Sequence, residues 1–375
     1  MTKNGALTAE FAGKSTASIA GEKTFAALRK ERLFAERLRP LIFVAAFVCV
    51  FYLALAASIK GIEWTVPFDV LLGRASRVSE VIFYNVRLPR TTSAAVVGAV
   101  LALAGTVMQN VLRNPLASAS TLGVSQGAAF GAALAITFFH AGIGTDGNLG
   151  AALTVTSPAV VTVFAFVFGV ASGAVILALS LVTRISSATM ILSGIALGAM
   201  FTGGTAIIQY FADDIKVASI VYWTFGDLGR TGWTQIGTMA AALTVAFLYF
   251  YRNAWNYNAL ANGTYTAKSL GVPVNVVLIV GMLVSCLLSS LAVAFVGTIG
   301  FVGLIAPHLA RRFTGSNHRY LLISSVFCGS VLLMGAEVLS RFIVPPAVLP
   351  IGAITSFLGA PVFLYMIFKA DGWVK

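Results

Sequence analysis

The chain has 375 residues, of which 58% are hydrophobic and only 10% charged, with a mean hydropathy of +0.91. A water-soluble domain carries about 25% charged residues, so this composition excludes a soluble globular protein and defines an integral membrane protein. The net charge of +12 does not signal nucleic acid, because the basic residues sit at the ends of apolar runs and form no stripe.

Residues 1–40 are polar, with eight Lys/Arg and four Glu, and are expected to form a cytoplasmic tail whose part near Phe25 to Arg39 lies as a helix at the membrane surface. Gly13-Lys14-Ser15-Thr16 copies the end of a phosphate-binding loop. Thr8 stands where the first glycine belongs and no apolar strand leads in, so nucleotide binding is not expected there. Crossing roughly 30 Å of hydrocarbon takes a helix of about 20 apolar residues. By that measure spans are predicted near 41–59, 91–112, 121–140, 159–182, 189–209, 234–251, 273–296, 299–310, 320–340 and 351–369. The fold class is therefore all-α and polytopic, with ten transmembrane helices in one unit over 41–372. An amino terminus inside puts seventeen Lys/Arg on the cytoplasmic side and eight outside, as the positive-inside bias requires. Both termini are then cytoplasmic. Ten helices divide into five and five, and an odd half inverts the second half relative to the first. Gly98 and Gly105 in the second span find an echo in Gly297, Gly300 and Gly303 after the seventh, as in an inverted repeat.

The chain is organised around the hairpin from Arg87 to Gly131. Arg113-Asn114-Pro115 interrupts the helix, since proline removes a donor and biases the residue before it away from the α region. Gly123, Gly127 and Gly131 then fall on one face of the next helix, where a close helix neighbour needs small residues. This predicts a tightly packed helical hairpin.

Chemistry-bearing residues are few. Arg87 and Arg90 flank Pro89 before the second span, and Arg341 follows the ninth, all on the external side. Guanidinium groups held there suit bidentate pairing with carboxylates of a docking protein; anchoring to lipid headgroups is the alternative from position alone. The largest internal cytoplasmic loop, 252–272, is expected to hold a short helix capped by Asn262 or Thr264 and ending at Gly271. Leu260, Tyr265 and Leu270 would form its apolar face, and the break at Gly263 suggests two short helices meeting at an angle, suited to a protein cleft. Glu337 is the clear intramembrane carboxylate, a functional suspect by default, yet an i,i+4 pair with Arg341 is an adequate structural reason for it. His140, His308 and His318 lie far apart, and neither a metal-binding His pair nor a catalytic triad spacing occurs. Cys49, Cys286 and Cys328 sit in apolar runs without paired spacing and read as packing residues. No enzyme, metal site or cofactor is expected.

Several ordered motifs carry a family resemblance: Arg87-Leu88-Pro89-Arg90; Gly105 to Gln109 leading into Arg113-Asn114-Pro115-Leu116-Ala117; Leu122-Gly123-Val124-Ser125-Gln126-Gly127-Ala128; Ala267 to Val272; Gly297 to Arg311 with Ala306-Pro307-His308; and Leu349-Pro350-Ile351-Gly352 to Phe363. Over about residues 41–372 the chain resembles the permease subunit of the ATP-binding cassette importers for iron-siderophores, haem and vitamin B12. The resemblance implies a homodimer in the cytoplasmic (inner) membrane, with two ATP-binding subunits below and a periplasmic or surface substrate-binding protein above. It assigns Arg87, Arg90 and Arg341 to docking of the binding protein. It assigns the loop from Ala259 to Val272, with Leu260, Asn262, Gly263, Thr264, Tyr265, Ala267, Leu270 and Gly271, to coupling with the ATPases. Ile185 to Thr189, with Ser186, Ser187, Ala188 and Thr189, match the turn that narrows the cytoplasmic exit, and Met190 to Gln209 the helix that lines the path. An iron-siderophore complex is the expected cargo, with haem or cobalamin as alternatives. Two features depart from the pattern. Thr264 and Tyr265 follow Gly263 where an acidic residue is usual, and the forty-residue amino-terminal extension has no counterpart.

Overall fold

A computed structural model describes residues 38–58, 61–139, 143–144, 154–155, 158–183 and 187–371. The amino-terminal tail, with the surface helix expected near Phe25 to Arg39, lies outside the described residues, as do His140 and the Ile185-Ser186 part of the exit turn.

The helices are α1 (Pro40–Ala56), α2 (Val66–Leu71), α3 (Arg77–Ile82), α4 (Leu88–Val111), α5 (Val124–Phe138), α6 (Pro158–Thr183), α7 (Ser187–Phe211), α8 (Asp214–Thr224), α9 (Trp233–Arg252), α10 (Ala254–Ala261), α11 (Thr264–Ser269), α12 (Val274–Val296), α13 (Val302–Thr314), α14 (His318–Phe342) and α15 (Ile351–Asp371). A π-helical turn over Phe83–Arg87 joins α3 to α4. Ala57–Ser58 with Gly61–Ile62 and Ile143–Gly144 with Thr154–Val155 form two antiparallel two-residue strand pairs.

Among the described residues six helical stretches are long and apolar enough to cross a membrane: 77–111, 158–180, 189–211, 233–252, 274–296 and 318–342. Helices at the first, third and tenth predicted spans are apolar but shorter. At the eighth span, predicted at 299–310, a helix is present over Val302–Thr314. Helix α13 has 13 residues, about 20 Å of rise, shorter than the roughly 30 Å of hydrocarbon. Its ends are set by backbone that leaves the right-handed helical region, at Gly297 (φ 83), Phe301 (φ 65) and Gly315 (φ 80). Helix α8, which begins where the Asp213 side chain accepts from the Lys216 N–H, is an element the hydropathy pattern does not predict.

Helix α4 is the centre of the bundle. Nearly every residue from Ala94 to Val111 is buried, and α14, α12, α13 and α9 pack around it. Such an axis needs a thin helix. A Cβ on Gly98 would overlap the Gly329 carbonyl of α14, and one on Gly105 would overlap the Gly303 carbonyl of α13. Helices α4 and α5 are connected by the Arg113-Asn114-Pro115 turn, where Arg113 adopts φ 46 and the Asn114 carboxamide accepts from the Leu116 N–H. The close packing of the second arm lies elsewhere than the sequence suggests. Gly127 and Gly131 abut the Phe168 and Phe164 carbonyls of α6, while Gly123 starts α5 at φ 75. The small-residue face therefore serves the following helix instead of the hairpin partner.

Candidate functional site

Where α5, α7, the 297–301 turn, α13 and α15 converge, they leave a cavity of about 770 Å³. Its polar lining is Ser120, Thr121, Ser125, Gln126, Thr202, Thr205, Gln209, Thr224, Thr298 and Ser356, and the rest is Gly300 and apolar side chains such as Phe301, Leu304 and Phe363. None of its lining residues carries a charge. Helix α7 contributes Thr202, Thr205, Ala206 and Gln209 from one face. Phe301 holds left-handed backbone, which is costly for a bulky residue. Its ring and Cβ pack against Gly359, where no side chain leaves room for them, and its ring faces Phe363. Among the described lining residues this wall offers hydroxyl and amide dipoles and no charged side chain.

The end of the bundle that the sequence reading places outside is a charged network. Glu337 is fully buried, and its Oε1 is shared by Arg90 Nε at 3.0 Å, Arg341 Nε at 2.8 Å and Arg341 Nη2 at 2.6 Å. Arg90 also reaches Asp227 at 3.5 Å, and Arg87 pairs with Glu63 at 2.8 Å. The i,i+4 pair of Glu337 and Arg341 is thus present, and Arg90 adds a second cation. One carboxylate between two guanidinium groups is a low-dielectric arrangement in which each member depends on the others. Arg341, which the resemblance assigns to docking, is turned inward in this chain. The residue is 6% exposed, and Nη1 donates to the Ala54 and Ala57 carbonyls at the end of α1. The unpaired carbonyls of that helix end draw the guanidinium inward. Arg87 and Arg90 are also paired within the chain but keep some exposure.

At the opposite end the 252–272 loop holds two short helices, α10 and α11, with Gly263 at φ 119 between them. Asn262 and Thr264 do not cap α11. Gly263 occupies the cap position without a side-chain bond, and the Asn262 amide donates back to the Asn258 carbonyl. Gly271, at φ 78, follows the helix as expected. Leu260 is 2% exposed and belongs to the main core, and Ala267 is fully buried. They seat the loop on the bundle, which corrects their placement on a partner-facing surface. Tyr265 at 89% and Leu270 at 53% are the outward apolar side chains. Ser187, Ala188 and Thr189 fall in the first turn of α7, and Thr189 is exposed. Cys286 and Cys328 are buried thiols, while Cys49 is exposed on α1. Among the described residues no cluster of His, Cys, Asp and Glu could hold a metal ion.

Several polar residues that anchor this inner end escape sequence reasoning. Gln109 Nε2 donates to the Leu304 carbonyl at 3.2 Å, Asn110 Nδ2 to the Tyr257 carbonyl at 3.1 Å, and Asn258 bonds to Asn317 and His318. Their only signal is that amides inside an apolar run must find a partner.

A helical bundle of membrane-spanning length, with an uncharged cavity, a charged network at one end and a loop of two short helices at the other, fits a membrane permease. The chain belongs to the FecCD transport family, whose model matches residues 45–369. It is 47% identical over 301 residues, covering 80% of this chain and 85% of the relative, to a protein of Methanocaldococcus jannaschii described as an ABC transporter permease. It is 35% identical to the hemin transport system permease protein of Yersinia pestis, covering 77% of this chain and 83% of that one. It is 33% identical to the vitamin B12 import system permease protein of Vibrio cholerae, covering 86% and 90%. A solved structure described as an inward-facing metal-chelate type ABC transporter superposes with a TM-score of 0.73 at 28% identity, covering 89% of this chain and 99% of that one. The chain is accordingly an ABC importer permease, a class that leaves ATP hydrolysis to a separate subunit.

Proposed function

We propose that this permease passes a bulky metal chelate, an iron-siderophore complex in the first instance, across the cytoplasmic membrane as one half of a homodimer. The observation that carries this reading is the uncharged cavity of about 770 Å³. A wall of hydroxyls, amides and aromatic rings fits a large ligand whose metal charge is already enclosed by its chelator. Relatives named for hemin, vitamin B12 and iron chelatin transport share that chemistry, so haem and cobalamin are the alternative cargoes.

In this proposal a second copy closes the cavity from the side of α7, and the exit narrows at Ser187 to Thr189. Two ATP-binding subunits seat against Tyr265 and Leu270 of the 252–272 loop, and a substrate-binding protein docks at Arg87 and Arg90 and selects the ligand. Docking there exchanges an internal carboxylate for one on the partner; Glu63, at 38% side-chain exposure, is the one most readily displaced. Closure of the ATPases then tilts the helices around the cavity. The test is uptake of a ferric siderophore into proteoliposomes holding the permease with its ATPase and binding protein. Uptake is expected to stop with a hydrolysis-dead ATPase; uptake that persists would overturn the coupling.

A further inference from the structure

Helices α4 and α14 run antiparallel and are pinned to each other along their length. At the outer end Arg90 meets Glu337 at 3.0 Å. Further in, Ser330 Oγ donates to the Ala95 carbonyl at 2.7 Å, and the Gly98 and Gly329 backbones are in contact, each barring a Cβ on the other. At the inner end both helices hold the same short helix, α10. The Asn110 side chain of α4 donates to the Tyr257 carbonyl at 3.1 Å. The Asn258 Oδ1 lies 2.8 Å from both the backbone nitrogen and Nδ1 of His318, the first residue of α14. An amide oxygen can only accept, so the His318 proton sits on Nδ1. Asn258 completes its bonding by donating to Asn317 Oδ1 at 3.1 Å.

Every one of these ties is buried or part-buried; Glu337 is 0% and His318 2% exposed. A pair of helices fixed at both ends and in the middle cannot hinge between them without breaking buried or part-buried hydrogen bonds and an ion pair. From residue 318 to 337 the helical rise is about 28 Å, so the ties span most of the hydrocarbon.

We infer that α4 and α14 act as one rigid strut, with Glu337 as its outer and His318 as its inner positioning residue, and that displacement of the external arginines reaches α10 through it. The inference rests on the proposed roles of the outer rim and the 252–272 loop as partner surfaces. If each cluster only stabilises its own surroundings, a disturbance at one end stays there. Coupling between two ends of a single element is reciprocal, and local opening is read by amide exchange.

The experiment is hydrogen–deuterium exchange on the full chain in lipid nanodiscs, with no partner present. Glu337→Gln keeps shape and removes the charge; several-fold faster exchange is expected over 254–261, with α9 amides unchanged. His318→Phe keeps the ring and removes the Nδ1 bond; faster exchange is expected over 338–343, and His318→Asn, which returns an amide donor, restores protection. Glu337→Asp, which keeps the charge and serves where Gln does not fold, gives the same distal pattern at smaller amplitude. Acceleration confined to the mutated end, or spread evenly over all helices, would overturn the strut. Separately, a wild-type chain that binds no nucleotide-hydrolysing subunit would remove the functional reading and leave the exchange result standing.

Discussion

Adding one methyl group to a helical glycine should have opposite consequences at Gly98 and at Gly237. Gly98 lies in α4 where a Cβ would overlap the Gly329 carbonyl and sit 3.0 Å from the Ser330 Cα. All of these are backbone atoms that no rotamer change can move, so Gly98→Ala must push α14 away and stretch the Ser330 bond to the Ala95 carbonyl. Overpacking of this kind costs roughly 1–3 kcal/mol, and loss of the interhelical hydrogen bond adds about 0.6 kcal/mol in a membrane bundle. Gly237 lies on the exposed side of α9 with nothing within 4 Å of a built Cβ. Gly237→Ala removes only the backbone entropy cost of glycine, worth up to about 1 kcal/mol in favour of the helix. Thermal unfolding in one detergent, followed by loss of the monodisperse peak, should lower the midpoint for Gly98→Ala and hold or raise it for Gly237→Ala. An unchanged midpoint for Gly98→Ala, or equal destabilisation by both, would refute the argument that backbone contact sets the α4–α14 spacing.

Glu337→Ala should destabilise by about 3–5 kcal/mol, since it leaves Arg90 and Arg341 buried without their shared carboxylate; denaturant titration of the purified chain measures it, and a loss below 1 kcal/mol would contradict the network's burial. Leu260→Ala should cost about 2–5 kcal/mol as a core truncation, while Tyr265→Ala should leave stability within about 0.5 kcal/mol yet weaken pull-down of the ATP-binding subunit. The reverse pattern would restore Leu260 to the partner-facing surface. Asp213 outside the membrane has its carboxyl held below the usual carboxylate range, chiefly by the Lys216 backbone N–H and then by the Lys216 side chain. A lowered folded-state value means the cap on α8 contributes above the ordinary carboxylate range and fades as pH falls through the lowered value. Amide protection over 214–217 should therefore weaken in acid for the wild type and stay flat for Asp213→Asn.

The long helices were legible because apolar runs of membrane-spanning length leave little choice of structure. Helix α8 was not, since 11 residues give too short a window for hydropathy; α13 was predicted by its apolar run, but its start is set by the left-handed turn at Phe301, which has no glycine to announce it. The pairing of Glu337 with Arg341 could be read from a spacing of four. The inward turn of Arg341 could not, because its other acceptors are carbonyls of α1 more than 280 residues away in sequence. The break at Gly263 was visible, but the burial of Leu260 depends on the core beneath α10, which a short helix does not reveal by periodicity. The cavity follows from Ser, Thr and Gln side chains on five separate segments, none of which is distinctive alone.

An uncharged lining also insulates. A sodium ion or proton leaving water for this passage would meet hydroxyl and amide dipoles in place of a full hydration shell, with no fixed countercharge among the described lining residues to offset what it gives up. A large chelate that carries its own coordination shell escapes that penalty. If the cavity is the passage proposed above, the same wall that would grip such a chelate weakly would also guard the membrane potential against leakage.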